Sequence, residues 1–121
     1  MRTSLRLLAF LSVVAIPGVA FAGDQDFTLK NKTGYQIDNV FISPHSSDDW
    51  GKDVLGKGSV IEDGDSTDIT FSRNNRICNY DMMVQYHDND KATWKSLNLC
   101  EISSVTLNYN RSTGATRATT E

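Results

Sequence analysis

The chain reads as a small antiparallel β-sandwich of about seven strands, immunoglobulin-like or C2-like, closed by one disulfide. Three features point to that class. Apolar and polar residues alternate with period two in short runs. Turn residues interrupt those runs about every 8–12 positions, and no long helical spacing intervenes. The only two cysteines, Cys78 and Cys100, lie well behind an export-type N-terminus.

Residues 1–22 have the three parts of a cleavable signal. Arg2 and Arg6 supply the positive start, residues 7–16 are apolar, and Pro17-Gly18 precede the small residues of Ala20-Phe21-Ala22. A spanning helix needs roughly 20 apolar residues, so no membrane span is expected once the signal is removed. Residues 23–109 then constitute the sandwich domain. Residues 110–121 contain nothing large and apolar and are expected to form a disordered tail. Secretion or a periplasmic location follows from the signal.

The strands can be placed in order. Residues 27–30 alternate, and Asn31-Lys32-Thr33-Gly34 is a turn. In 35–43, Ile37 and Val40 differ by three, so the inward face changes phase and a bulge is predicted near Asp38-Asn39. Pro44 ends that strand. The long segment 45–58 is predicted to hold one helical turn laid across the sheet edge, with Trp50, Val54 and Leu55 on its inner side. A brief strand at 60–61, a turn over 62–66 and a strand over 67–72 follow. Cys78, Tyr80, Met82, Val84 and Tyr86 share one face of a hairpin arm that returns through Trp94, Leu97 and Leu99. Trp94 and Leu97 differ in parity, which requires a second bulge near Lys95-Ser96. Residues 104–109 form the last strand.

A hairpin turn centred on Asn89 sets Cys78 directly opposite Cys100, close enough for a bridge, although an offset of one place is equally compatible. Two separate buried thiols are the alternative, and an oxidising compartment favours the bridge. Closing that loop stabilises the fold by roughly 3 kcal/mol on a chain-entropy argument. Loss of Arg2 and Arg6 lowers the twelve Lys+Arg to ten against fifteen Asp+Glu. An acidic domain without a basic stripe has no electrostatic attraction to nucleic acid.

Acidic loops are the first chemical candidates. Asp48, Asp49 and Asp53 share one loop, and Asp88 and Asp90 share the hairpin tip. C2-like sandwiches gather calcium ligands from such loops, whereas solvated turns give the same composition. His45 and His87 are far apart, and Ser46 and Ser47 lack a G-x-S-x-G context. No catalytic grouping emerges, so no enzyme activity and no cofactor is expected, with calcium the one cation to test. His45, Trp50 and Lys52 mark a candidate partner-binding loop. Trp50 is expected as an apolar plug over the sandwich and Trp94 as a cross-strand packing residue.

Four blocks stand out: Asn31-x-Thr33-Gly34-x-x-Ile37-x-x-Val40-Phe41-Ile42-Ser43-Pro44, Asp49-Trp50-Gly51-x-Asp53-Val54-Leu55-Gly56, Cys78-x-Tyr80-Asp81 and Leu99-Cys100. Over most of residues 27–107 the chain resembles a family of small exported bacterial β-domains, which also occurs as a module in larger bacterial proteins. Some members bear an argininosuccinate lyase label. That enzyme is a large, cytoplasmic, helical tetramer whose active site a short β-chain cannot form, and the resemblance carries no functional residue. The reading that follows is a secreted or periplasmic binding module for a protein or glycan. A calcium-dependent C2-like domain and an inhibitor of an extracellular hydrolase are the alternatives.

Overall fold

The computed structural model describes residues 25–71 and 76–121. The export signal and residues 72–75, which include the end of the strand expected over 67–72, lie outside the described residues. Seven strands follow in order: β1 Phe27–Lys32, β2 Ile37–Pro44, β3 Ser66–Ile69, β4 Asn79–Tyr86, β5 Lys91–Asn98, β6 Ser104–Asn110 and β7 Ala115–Thr120. They make two sheets, one ordered β3-β1-β6-β7 and the other β2-β4-β5. Among the described residues no helix is long and apolar enough to cross a membrane.

Period-two alternation produces the core. Phe27 and Leu29 of β1, Ile69 of β3 and Val105 and Leu107 of β6 face inward from the first sheet. Ile37 and Val40 of β2, with Tyr80, Met82, Val84 and Tyr86 of β4, face them from the second. Ile61 and Leu99 complete the buried cluster, and Trp94 packs against it from β5. Both predicted bulges are present: the β2–β4 register shifts between Ile37 and Asn39, and the β4–β5 register shifts between Tyr80 and Met82. Ser96, in the second bulge, has φ 58°, in the left-handed region.

The Cys78–Cys100 disulfide is formed, with Cα atoms 5.2 Å apart. Its register is the offset one. Val84 pairs Ala92 and Gln85 pairs Lys91, which centres the turn on Asp88 rather than Asn89. The bulge then shifts the base, so the Leu99 N–H donates to the Cys78 carbonyl and Cys100 sits one place beyond.

The structure corrects four other expectations. The sandwich is not wholly antiparallel, because β1 and β6 run parallel at the centre of the first sheet. The chain passes to the second sheet after β1, so its returning neighbour can arrive from the same end. Residues 60–61 make a single bridge between Ile37 and Ile61 rather than a strand. Segment 45–58 lies along the edge of β2 as predicted, but as turns and not as helix. Gly51, Gly56 and Gly58 all have positive φ, and the Asp53 carboxylate accepts the Leu55 N–H within the segment and the Val40 N–H of β2, which a helical turn would not supply. The 110–121 tail is ordered over its strand: β7 pairs with β6 from Val105–Thr120 through Asn110–Ala115. Small Ala and Thr side chains suffice there because main-chain bonds hold an outer strand, with Ala118 alone packing against the core.

Candidate functional site

β1, β4 and β6 all run toward one end of the sandwich, and the turns after them meet there. Tyr35 follows the β1–β2 turn, Tyr86 ends β4, and Tyr109 lies near the end of β6. With Asp88, Asp90, Lys91 and Ala92 of the β4–β5 hairpin, and Gly114 and Thr116 of the β6–β7 hairpin, they line a cleft of about 270 Å3. The Tyr35 ring meets Tyr86 edge-on at 6.3 Å and Tyr109 at 5.6 Å between centroids. On Tyr35 the Arg111 guanidinium stacks 4.9 Å from the ring centre. Gly34, at φ 88°, permits this approach, since a Cβ there would stand 3.0 Å from an Arg111 nitrogen.

Tyr86 is only 8% exposed. Its hydroxyl has no hydrogen-bond partner among the described residues. Burial pushes its pKa up, helped by Tyr109 and Asp88, so the phenol stays protonated. Asp88 accepts the Asp90 N–H, which fixes the hairpin tip. Beside it, His87 Nδ1 lies 3.0 Å from Asp38 Oδ2. Asp38 is held below its ordinary pKa by the Gln36 amide, against burial and with help from His87.

A second cluster lies on the outer face of the other sheet. Asp81 stands opposite the β5 bulge and is 7% exposed. One of its oxygens lies 2.7 Å from His45 Nδ1 and accepts the Ser96 N–H at 3.0 Å. Burial raises the Asp81 pKa, but the His45 and Ser96 hydrogen bonds and the charges of His45 and Lys95 outweigh it, so the net shift is downward. Ser96 Oγ is 3.4 Å from both ring nitrogens of His45, longer than the roughly 2.6–3.2 Å of a nucleophile on its base. The arrangement is a clamp that satisfies the bulged backbone. Trp50 lines the neighbouring shallow hollow with Ser43, His45, Ser47, Asp48, Asp81 and Lys95. It is half-buried there and is not the plug expected over the core, because the edge-bound loop turns it outward. Lys52 is exposed on the same loop.

The acidic residues of the sequence are thus divided between structural and open positions. Asp53 accepts from the Val40 and Leu55 N–H groups and from the Asn39 amide, fastening the loop to β2. Asp49 accepts the Gly51 N–H in a local turn, and Asp48 is exposed. No group of three His, Cys, Asp or Glu side chains among the described residues is arranged to hold a metal ion. Asp88 and Asp90 do come together, as walls of the tyrosine cleft. Asn31 is a hub of the other kind. It is fully buried, donates to the Tyr35 and Ile61 carbonyls, and accepts from the Thr33 N–H and hydroxyl.

Tyr35, Tyr109, Arg111 and Gly114 were missed by sequence reasoning. Two were assigned to strands and two to the tail, and the one available signal was three tyrosines at strand ends on the side of the acidic hairpin.

No family model and no curated protein matches the chain. Among solved structures it is similar to an NMR structure of a protein from Eubacterium rectale, at a TM-score of 0.55 and 13% identity. The match covers 88% of this chain and 93% of that one, and at such low identity it shows the fold alone.

Proposed function

We infer that the chain is a non-enzymatic binding module, exported to the periplasm or beyond, whose tyrosine-walled cleft holds a small polar group of a glycan or protein partner. The observation that carries this reading is the gathering of three rings, Tyr35, Tyr86 and Tyr109, from turns distant in sequence along one cleft. The cleft volume is near the lower end of the roughly 300–1,000 Å3 of small-molecule sites. Edge-to-face rings suit the apolar face of a sugar or side chain. The disulfide supports an oxidising compartment.

The test is amide chemical-shift mapping of the processed protein with soluble envelope oligosaccharides and short peptides. Shifts gathered at residues 35, 86–92, 109 and 114–116 are expected. Shifts confined to residues 45–53, or none with any probe, would sink the reading.

A second reading, an inhibitor of an extracellular hydrolase, is favoured by the loop along β2. Val54 is exposed there while its own N–H donates to the Val40 carbonyl, giving a stiff loop that presents an apolar tip. Failure to inhibit a panel of proteases and lysozymes disposes of it.

A further inference from the structure

We propose that the free edge of β7 pairs with the same edge of a second copy of this chain, joining two four-stranded sheets into one about a two-fold axis at Thr119. The inference goes beyond the cleft reading, because main-chain groups at a sheet edge carry it. Such edges expose unpaired N–H and C=O groups, and proteins blunt them with short strands, bulges, charged side chains or covering loops. Three of the four edges in this sandwich are blunted. β3 has only four residues. β2 is covered by segment 45–58, whose Val54 N–H donates to the Val40 carbonyl while Asp53 accepts the Val40 N–H. β5 bears the left-handed Ser96 bulge, its N–H taken by Asp81, and the exposed Lys91 and Lys95. β7 runs in unbroken register with β6 over its six residues and carries only Arg117.

The pairing with β6 fixes which groups are free. Ser104 and Glu121 exchange both main-chain hydrogen bonds, at 3.1 and 3.0 Å. By the alternation of an antiparallel ladder, Ala115, Arg117 and Thr119 also turn their N–H and C=O groups to β6, while Thr116, Ala118 and Thr120 turn theirs to the open side. No main-chain hydrogen bond from a described residue meets them there. The side chains of Arg117, Thr119 and Glu121 stand on the outer face, since Ala118 and Thr120 pair with the buried Leu107 and Val105.

A second copy fits this edge by charge. With Thr119 on the axis, Ala118 and Thr120 of one copy exchange main-chain bonds with Thr120 and Ala118 of the other. Thr119 then meets Thr119, and Arg117 meets Glu121 on either side, all favourable cross-strand pairs. Arg117 and Glu121 are both exposed and form no ion pair among the described residues. An axis at Arg117 would instead set two guanidinium groups opposite each other. The overlap spans residues 117–121, so the contact falls below the roughly 1,200 Å2 of a standard interface and the dimer is weak. Gly114 and Thr116 lie outside it, which leaves both tyrosine clefts open.

Sedimentation velocity of the processed protein at up to about 1 mM should show reversible dimers, with hydrogen exchange slowed at Ala118 and Thr120 as they form. Arg117→Glu and Glu121→Arg each turn two attractive pairs into repulsive ones and should weaken the dimer about tenfold or more. Mixed one to one, the two variants carry opposite charges across the edge and should pair with each other. The Arg117→Glu and Glu121→Arg double variant should pair with itself, which separates lost charge matching from lost folding. A monomer at the highest concentration, or a dimer indifferent to both single variants, overturns the proposal. So does failure of the mixed variants to associate, or a dimer in which Ala118 and Thr120 exchange as fast as in the monomer. These readouts are independent of shifts at residues 35 and 86–92, where the cleft reading stands or falls.

Discussion

Replacing Asp81 tests whether the cluster on β4 and β5 is a clamp. Asp81→Ala removes the acceptor of the Ser96 N–H, a group fixed in a left-handed bulge and unable to turn to another partner. An orphaned backbone donor costs about 1–3 kcal/mol. The His45 ring is half exposed, so its ion pair is screened and adds only about 0–1 kcal/mol. A loss of about 2–3 kcal/mol results, which lowers the melting temperature of a domain this size by roughly 10–15 °C. Asp81→Asn keeps an acceptor for Ser96 and should lose less. pH supplies an independent signature. The folded-state pKa of Asp81 lies below its ordinary value, so its contribution is complete above about pH 4 and fades as pH falls through the lowered folded value. Scanning calorimetry of wild type and Asp81→Asn from neutral pH downward should therefore show two melting curves that converge in acid. An Asp81→Ala protein melting within about 2 °C of wild type at neutral pH, or a gap that widens in acid, refutes the clamp.

Three other perturbations have defined outcomes. Reducing the Cys78–Cys100 bond, whose ends are 22 residues apart, should cost about 3 kcal/mol, lowering the melting temperature while near-native circular dichroism persists at 25 °C. Asn31→Ala strands the buried Thr33 N–H and leaves the Tyr35 and Ile61 carbonyls with one donor each, from Thr33 Oγ1 and the Ile37 N–H, and urea unfolding should register a loss of about 1–3 kcal/mol. Tyr86→Phe deletes a hydroxyl that bonds to nothing among the described residues. Its stability, read by urea unfolding, should stay within about 0.5 kcal/mol of wild type or rise.

What could be read from the residues and what could not divides along a physical line. The phase change between Ile37 and Val40, and the clash in parity between Trp94 and Leu97, located both bulges, because a buried face constrains parity strictly. Burial supplied no such guide for Ala115–Thr120, where main-chain pairing rather than apolar side chains forms the strand. Missing that strand also hid Arg111 and Gly114, and with them one wall of the cleft. The one helical turn expected within 45–58 is absent because the spacing of Trp50, Val54 and Leu55 mimics a turn of helix, whereas Asp53 and three glycines decide the path. Asp88 and Asp90 were visible as an acidic pair, but their rings came from turns distant in sequence. Asn31 and Asp53, conspicuous in the motifs, spend their hydrogen bonds on the fold itself.

The parallel pairing of β1 with β6 governs when the protein can fold. Phe27–Lys32 gains its second neighbour only when Ser104–Asn110 has emerged, so every strand from β2 to β5 must be delivered before the larger sheet has a centre. The β4–β5 hairpin needs no such wait and is already poised to bring its thiols together. Oxidation should thus precede closure of the sandwich, leaving β1 an exposed edge vulnerable to intermolecular pairing in the interval. Pulse-labelled hydrogen exchange during refolding should find β4 and β5 protected first and β1 last.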